Sequence, residues 1–300
     1  MTKSDNTASS DTVSSDTAST VTASTATWSI DQRCMNCGAA RAVAPELIVE
    51  GQGGSVFRHQ PETPEELEKA WLAAKLCPTQ SIRARPALPA PSGLYPHRLA
   101  DGVALCGHNA RSSYGAHSYF LRRATGNLLV DSPSFVETLA ASFERAGGIA
   151  KIILTHEDDV ADAHRWAERF GSEVYIHRAD RAAAPYATHL VEGQGPSDAQ
   201  HIEEGVALLP VPGHTEGSIA VLLDDSLLFT GDSLIWSRDR QTLIAVSDYC
   251  MHSWAAQRRS LSALADHPFE QVFPGHGSWS PRLDADVMRA HLRRLVDGWA

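Results

Sequence analysis

Residues 151–163, K-I-I-L-T-H-E-D-D-V-A-D-A, restrict this chain more than any other stretch. Ile152, Ile153 and Leu154 form an apolar run without polar alternation, the pattern of a buried strand, and the chain turns polar just beyond Thr155. In α/β sheets that is where ligands collect. His156, Asp158, Asp159 and Asp162 offer nitrogen and oxygen donors within a few residues, a set suited to zinc, iron or manganese. For this window alone the alternative is a solvated loop with a capping Asp ahead of the helix that starts near Asp162.

Three more motifs place one metal-competent side chain at the end of an apolar strand. They are P-V-P-G-H-T-E-G-S around His214, L-L-F-T-G-D-S around Asp232 and V-F-P-G-H-G around His276. Each carries a glycine that lets the backbone turn tightly before the donor. A single histidine among 14 says little, whereas four such motifs in order point to one site. Around them the pattern predicts a hairpin over 118–130, helices over 134–147 and 162–170, and a strand over 173–177. Short strands follow over 206–211, 218–223 and 226–229, then a helix over 254–265, a strand over 271–273 and a C-terminal helix from about 285.

Upstream the composition changes twice. Residues 1–27 are nearly all Ser, Thr, Ala, Asp and Val, too little apolar surface to offset chain entropy, so a disordered tail is expected there. Residues 28–84 form a small module with Cys34 and Cys37 in a C-x-x-C pair, a helix over 64–75 and a Cys-Pro at Cys77. Residues 85–100, with Pro86, Pro89, Pro91 and Pro96, read as a stiff linker to a domain over 101–300. A formal net charge of −10 with scattered basic residues argues against nucleic acid or an anionic membrane as partner and leaves a small-molecule substrate. No apolar run is long enough to span a bilayer, and the N-terminus has neither a basic start nor an apolar signal core. A cytoplasmic protein is expected, in which the cysteines serve metal or redox chemistry before disulfides.

Residues 28–84 resemble the small ferredoxins that bind one iron–sulfur cluster. In that family C-x-x-C-x-x-C supplies three ligands and a distant Cys-Pro the fourth. Cys34, Cys37 and Cys77 match three positions, and Ala40, which has no donor, holds the remaining one. The resemblance implies a cluster that Ala40 puts in question. The other readings are a three-cysteine cluster, a zinc site, or a module that has lost its cluster and serves as a packing or interaction domain.

Residues 103–276 resemble the metallo-β-lactamase fold superfamily, and the whole chain is similar to a bacterial and plant subgroup in which a ferredoxin-like domain comes first. The resemblance implies an α+β chain, an αββα sandwich preceded by a small α/β ferredoxin-like domain. It also implies one or two divalent transition metals, zinc or iron, with His156, His214, Asp232 and His276 at ligand positions and Asp232 shared between the metals. The superfamily pattern T-H-x-H-x-D-H is altered here: Asp158 replaces the second histidine, and Val160 and Ala161 stand at the next two ligand positions. A stretched pattern restores the carboxylate at Asp162 and leaves Ala163 where the last histidine belongs, with His164 next to it. The expected first site is His156, Asp158, His214 and Asp232, and the second is Asp162, Asp232 and His276, one donor short. The implied activity is a metallo-hydrolase that attacks a small ester, thioester or lactone with metal-bound hydroxide, Asp232 orienting it as the catalytic carboxylate. Two alternatives stand beside it: an iron-dependent oxidoreductase with a redox partner, and a non-catalytic binding protein with a degenerate site.

Overall fold

The computed structural model describes residues 27–299, so the expected tail lies outside the described residues apart from Thr27. Thr27 opens strand β1 (Thr27–Ile30), which pairs antiparallel with β4 (Ile82–Arg85). Between them come α1 (Ala39–Val43), the hairpin β2 (Ile48–Gly51) and β3 (Gly54–Phe57), and α2 (Pro64–Leu76). Helix α2 starts where its sequence dictates: Thr63 accepts from the Glu66 N–H, the Glu66 side chain reaches back to the Thr63 N–H, and Pro64 fits the first turn. Trp28, Leu47, Ile48, Ala70, Ala73 and Ile82 make a small core of its own for this module.

The expected linker over 85–100 ends early. His97–Ala100 is β5, the edge strand of a seven-stranded sheet, pairing antiparallel with β6 (Val103–Leu105). Proline density hid it, because only four residues here are free to join a ladder. The sheet continues through β7 (Tyr119–Leu121), β8 (Leu128–Val130), β9 (Lys151–Ile153), β10 (Glu173–His177) and β11 (His189–Val191), the last four parallel. Helices α3 (Glu137–Arg145) and α4 (Ala163–Phe170) are the crossovers between β8, β9 and β10.

A second sheet has the order β12 (Gln200–Glu203), β13 (Val206–Pro210), β14 (Ile219–Leu223), β15 (Leu227–Gly231) and β18 (Gln271–Pro274). The hairpin of β16 (Ile235–Ser237) and β17 (Thr242–Ile244), then α5 (Trp254–Leu264), connect β15 to β18, and α6 (Ala285–Asp297) closes the chain.

Side-chain alternation sorts four layers. Tyr119 points into the space between the sheets, against Phe229 and Phe273, while its neighbour Phe120 stacks on Phe143 of α3. In the second sheet Val206 and Leu208 join that inner core, and Ala207 and Leu209 face Leu261, Met288 and Leu292 of α5 and α6. Helices therefore cover the outer face of both sheets, the αββα arrangement. Strand β13 runs antiparallel to β14 and β14 to β15, and β15 runs parallel to β18. The carboxyl ends of β13, β15 and β18 thus reach one edge of the sandwich, and the Ile219 N–H bonded to the Thr155 carbonyl at 2.8 Å brings the end of β9 to the same edge.

Candidate metal centre

Each of those strand ends carries one of the expected donors. His156 Nε2 lies 3.7 Å from Asp158 Oδ2 and 3.9 Å from both Asp159 Oδ2 and Asp232 Oδ2. His214 Nε2 lies 3.3 Å from Asp158 Oδ2 and 3.7 Å from Asp232 Oδ2, and His276 Nε2 lies 3.6 Å from Asp232 Oδ2. Two donor groups follow, His156, His214 and Asp232, and Asp159, Asp232 and His276, each with its ligand atoms within 4.8 Å of one another. Four ligands about 2.1 Å from a tetrahedral ion sit about 3.4 Å apart, so the observed spacings suit one ion per group.

Orphaned polar atoms bear on the fit more directly. His156 Nε2, both carboxylate oxygens of Asp159 and Asp232 Oδ1 are buried without a hydrogen-bond partner. A buried carboxylate with neither partner nor counter-ion is costly, and a cation between these atoms removes the cost. Burial, reinforced by Asp232, Asp131 and Asp158, pushes the Asp159 carboxyl well above its usual range. His156 is pushed down by burial. For His214 burial acts the same way, but the Asp158 hydrogen bond and the Asp232 charge outweigh it and raise its pKa. That same bond to His214 holds Asp158 low.

The surrounding shell selects the ligand atom of His156. In its ionised form Asp131 accepts from the Thr155 N–H at 2.7 Å and from its hydroxyl at 2.9 Å, so the Thr155 oxygen is left to accept from His156 Nδ1 at 3.0 Å. With its proton on Nδ1, His156 keeps a bare Nε2 facing the carboxylates. Room for this arrangement depends on glycine. A Cβ at Gly275 would come within 2.6 Å of Asp232 Oδ1 and 3.0 Å of Asp159 Oδ2, and one at Gly231 within 2.5 Å of Thr155 Oγ1.

Asp159, not Asp162, lies at the place expected of Asp162. Asp162 stays outside the cluster, where its Oδ2 accepts from the Phe135 N–H at 2.7 Å and lies 3.7 Å from Arg165 Nη1. Asp159, buried in the short 3-10 turn Glu157–Asp159, supplies the carboxylate instead. Three residues in a tight turn bring Asp159 Oδ2 back to 3.9 Å from His156 Nε2, a local path that spacing alone does not reveal. His164 also lies apart, its ring edge-on to Tyr186.

Sequence reasoning missed three buried supports: Asp131, Asp180 and His117. Asp180 carried the same signal as the ligands, an acid just past the end of an apolar strand, here β10.

In the N-terminal module Cys34, Cys37 and Cys77 line one small cavity together with Ala40, Ser55, Thr79 and Ser81. Burial pushes the Cys37 thiol up; Cys77 is also buried, but hydrogen bonds from Ser81 and Thr79 bring it below its usual value. Cys106 lies apart, fully buried, its thiol pushed up to about 12 by burial. Cys250 is bonded to the Gly213 carbonyl near His214. The module touches the metal edge. The Tyr114 hydroxyl donates 2.7 Å to the Met35 carbonyl while its ring stands against His276, and Arg238 donates to the carbonyls of Arg41 and Ala42 at the end of α1.

Comparison with known proteins agrees with both halves. Residues 30–84 match the single-cluster [4Fe–4S] domain of ferredoxin I, and residues 113–276 match the metallo-β-lactamase superfamily. A hydroxyacylglutathione hydrolase of Cereibacter sphaeroides is 35% identical over 140 residues, 46% of this chain and 49% of that protein. The chain spans about half the length of the curated hydrolases it matches. Ferredoxin MycCII of Micromonospora griseorubida is 42% identical over 53 residues, 17% of this chain and 72% of that protein. The solved structure of DIM-1 metallo-β-lactamase exposed to ceftazidime superposes with a TM-score of 0.50 at 18% identity, covering 68% of this chain and 96% of that one. No helix among the described residues is long and apolar enough to cross a membrane. With the superfamily match extending over residues 113–276 and the sandwich edge gathering its donors, the chain belongs to the metallo-β-lactamase superfamily, with a ferredoxin-like domain ahead of it.

Proposed function

We propose that the protein is a metal-dependent hydrolase of a small thioester or related ester, and that His156, His214, Asp158, Asp159, Asp232 and His276 hold its metal. The observation that carries this reading is Asp232, which belongs to both donor groups while its Oδ1 is buried without a partner. A divalent transition metal bound there supplies a water of lowered pKa and polarises the carbonyl under attack. Asp232 spans both groups and orients the attacking water. Asp158, in contact with His156 and His214 and half exposed, adds a further carboxylate donor to their group. The Thr155–Asp131 pair keeps the His156 proton on Nδ1, away from the reacting side. The thioester preference rests on the hydroxyacylglutathione hydrolases among the relatives, which match over part of their length.

A panel of acyl thioesters, esters and lactones, assayed before and after chelation and metal return, tests this. Metal-dependent thiol release from the thioesters is the expected result. Full activity in the Asp232→Asn variant, or no hydrolysis of any panel member by metal-loaded protein, would sink the reading.

One observation favours an iron-dependent oxidoreductase as a second reading: the cysteine-lined cavity abuts Gly115, beside the Tyr114 that touches His276. Iron retained at both places in anaerobically purified protein, without hydrolysis, would favour it.

A further inference from the structure

His117 is buried in the sandwich edge and has no part in the proposed hydrolysis. It follows the loop that carries Tyr114, and it makes three polar contacts. Its N–H donates to the Gly275 carbonyl at 2.6 Å, and its Nε2 lies 3.2 Å from the Gly277 carbonyl. Its Nδ1 lies 3.3 Å from Asn109 Nδ2. Gly275 and Gly277 are the two residues that flank His276, so one side chain and its own main chain grip both sides of a metal-competent residue.

The tautomer follows from the partners. Asn109 Nδ2 also donates to the Gly115 carbonyl at 2.7 Å, which fixes the amide with its nitrogen toward His117. Nδ1 of His117 must then accept, and the proton sits on Nε2, where it can donate to Gly277. Burial, with His276 nearby, holds the His117 pKa down at about 4, so the ring is neutral at physiological pH and keeps this pattern. Asn109 is itself anchored from the N-terminal module: its N–H donates to the carbonyl of Leu76, the residue before Cys77, at 3.1 Å.

We propose that His117 is a positioning residue for His276, gripping the Gly275 and Gly277 carbonyls, and that the N-terminal module braces it through Leu76 and Asn109. The inference rests on the metal reading above. A loop of two glycines around one histidine has little stiffness of its own, and His276 has the most accessible imidazole of the three in the cluster. Fixing its two flanking carbonyls lowers the conformational cost of binding at the Asp159, Asp232 and His276 group.

The test is zinc titration of the full chain stripped by chelator, read as equivalents and dissociation constants, with cobalt absorption to report geometry. Wild-type protein is expected to bind two equivalents at this edge. His117→Leu should weaken the second equivalent about 10- to 100-fold, the range for lost outer-shell partners, and leave the first within a few fold. His117→Gln, whose amide reaches the Gly277 carbonyl, should recover most of that loss. If His117→Leu does not fold, His117→Asn carries the test, since its shorter amide still meets Asn109 but not Gly277, and the same weakening is expected. Wild-type affinities in these variants overturn the positioning role and leave the metal reading standing. Equal loss of both equivalents overturns it too, as a general effect on the fold. Wild-type protein that binds no zinc at this edge overturns both readings.

Discussion

Asp180 and Thr215 join the two sheets beneath the metal edge: the Thr215 hydroxyl donates 2.7 Å to Asp180 Oδ2. The same carboxylate accepts from the Glu157 N–H at 3.0 Å and the Gly217 N–H at 2.9 Å. One buried carboxylate thus holds the turn after His156 and the loop after His214 in a fixed relation.

Replacing Asp180 by Ala removes the acceptor of three donors, of which the buried Gly217 N–H has no other partner and Thr215 keeps Ser218. The expected cost is roughly 3 kcal/mol of unfolding free energy, with weakened binding of the metal shared by His156 and His214. Asp180→Asn, which keeps one accepting oxygen, should cost less. Denaturant unfolding and metal titration check both, and an Asp180→Ala protein as stable as wild type would refute the bracing role.

Asp159 has opposite effects with and without metal. In chelated protein its carboxylate is buried among Asp232, Asp131 and Asp158 without a partner, so Asp159→Asn should stabilise that form by roughly 1–2 kcal/mol. With metal present the same change removes a ligand and should lower the melting temperature. Calorimetry with and without chelator reads the sign, and a change in the same direction in both forms would contradict the assignment.

The pH dependence of the chelated form has a defined sign above pH 6.5. Burial raises Asp131 from 3.8 to about 8, so the folded state holds a proton that the unfolded state has already lost. His214 is raised above 6.5 and acts in the same direction, while His156, lowered from 6.5, acts in the opposite one, an effect that fades above 6.5 as the unfolded state loses the same proton. Stability of chelated protein should therefore fall as pH rises from about 6.5 to about 8. Asp131→Asn should flatten that slope, and an unchanged slope in the variant would exclude Asp131 as its source.

Glu203 ties the edge of the second sheet to the first, with Oε2 2.8 Å from Lys151 Nζ and Oε1 accepting from Thr125 at 2.9 Å. Burial works against its charge, but these bonds prevail and hold its pKa below 4.5. Its contribution is present above that value and is lost as pH falls through the folded pKa. Glu203→Gln should cost roughly 2 kcal/mol at neutral pH and little in strong acid; a pH-independent loss would point to packing instead.

Ala40 lines the cavity with Cys34, Cys37 and Cys77 at the place of the fourth thiolate. Ala40→Cys should allow a four-iron cluster to form on anaerobic reconstitution, with iron and visible absorption well above those of the unaltered chain. A full cluster in the unaltered protein would show that Ser55, Thr79, Ser81 or an exposed iron suffices.

Local sequence by itself determined the apolar strands, the capped helix after Thr63, the four strand-end motifs and the cysteine spacing, because these depend on side-chain periodicity and on residues a few positions apart. The choice between Asp162 and Asp159 was beyond it. That choice depends on a three-residue turn packed under Gly275, whose missing Cβ leaves room for two carboxylates, while the Phe135 N–H from another element claims Asp162. The supporting roles of Asp131, Asp180 and His117 were illegible for the same reason, even where the acid itself stood just past a strand end, as Asp180 does: each acts on a ligand loop distant in sequence, and only the stacking of two sheets brings those partners into hydrogen-bond range. The strand at His97–Ala100 was likewise decided by tertiary structure, since a proline-rich segment joins a sheet only when the edge of that sheet lies beside it.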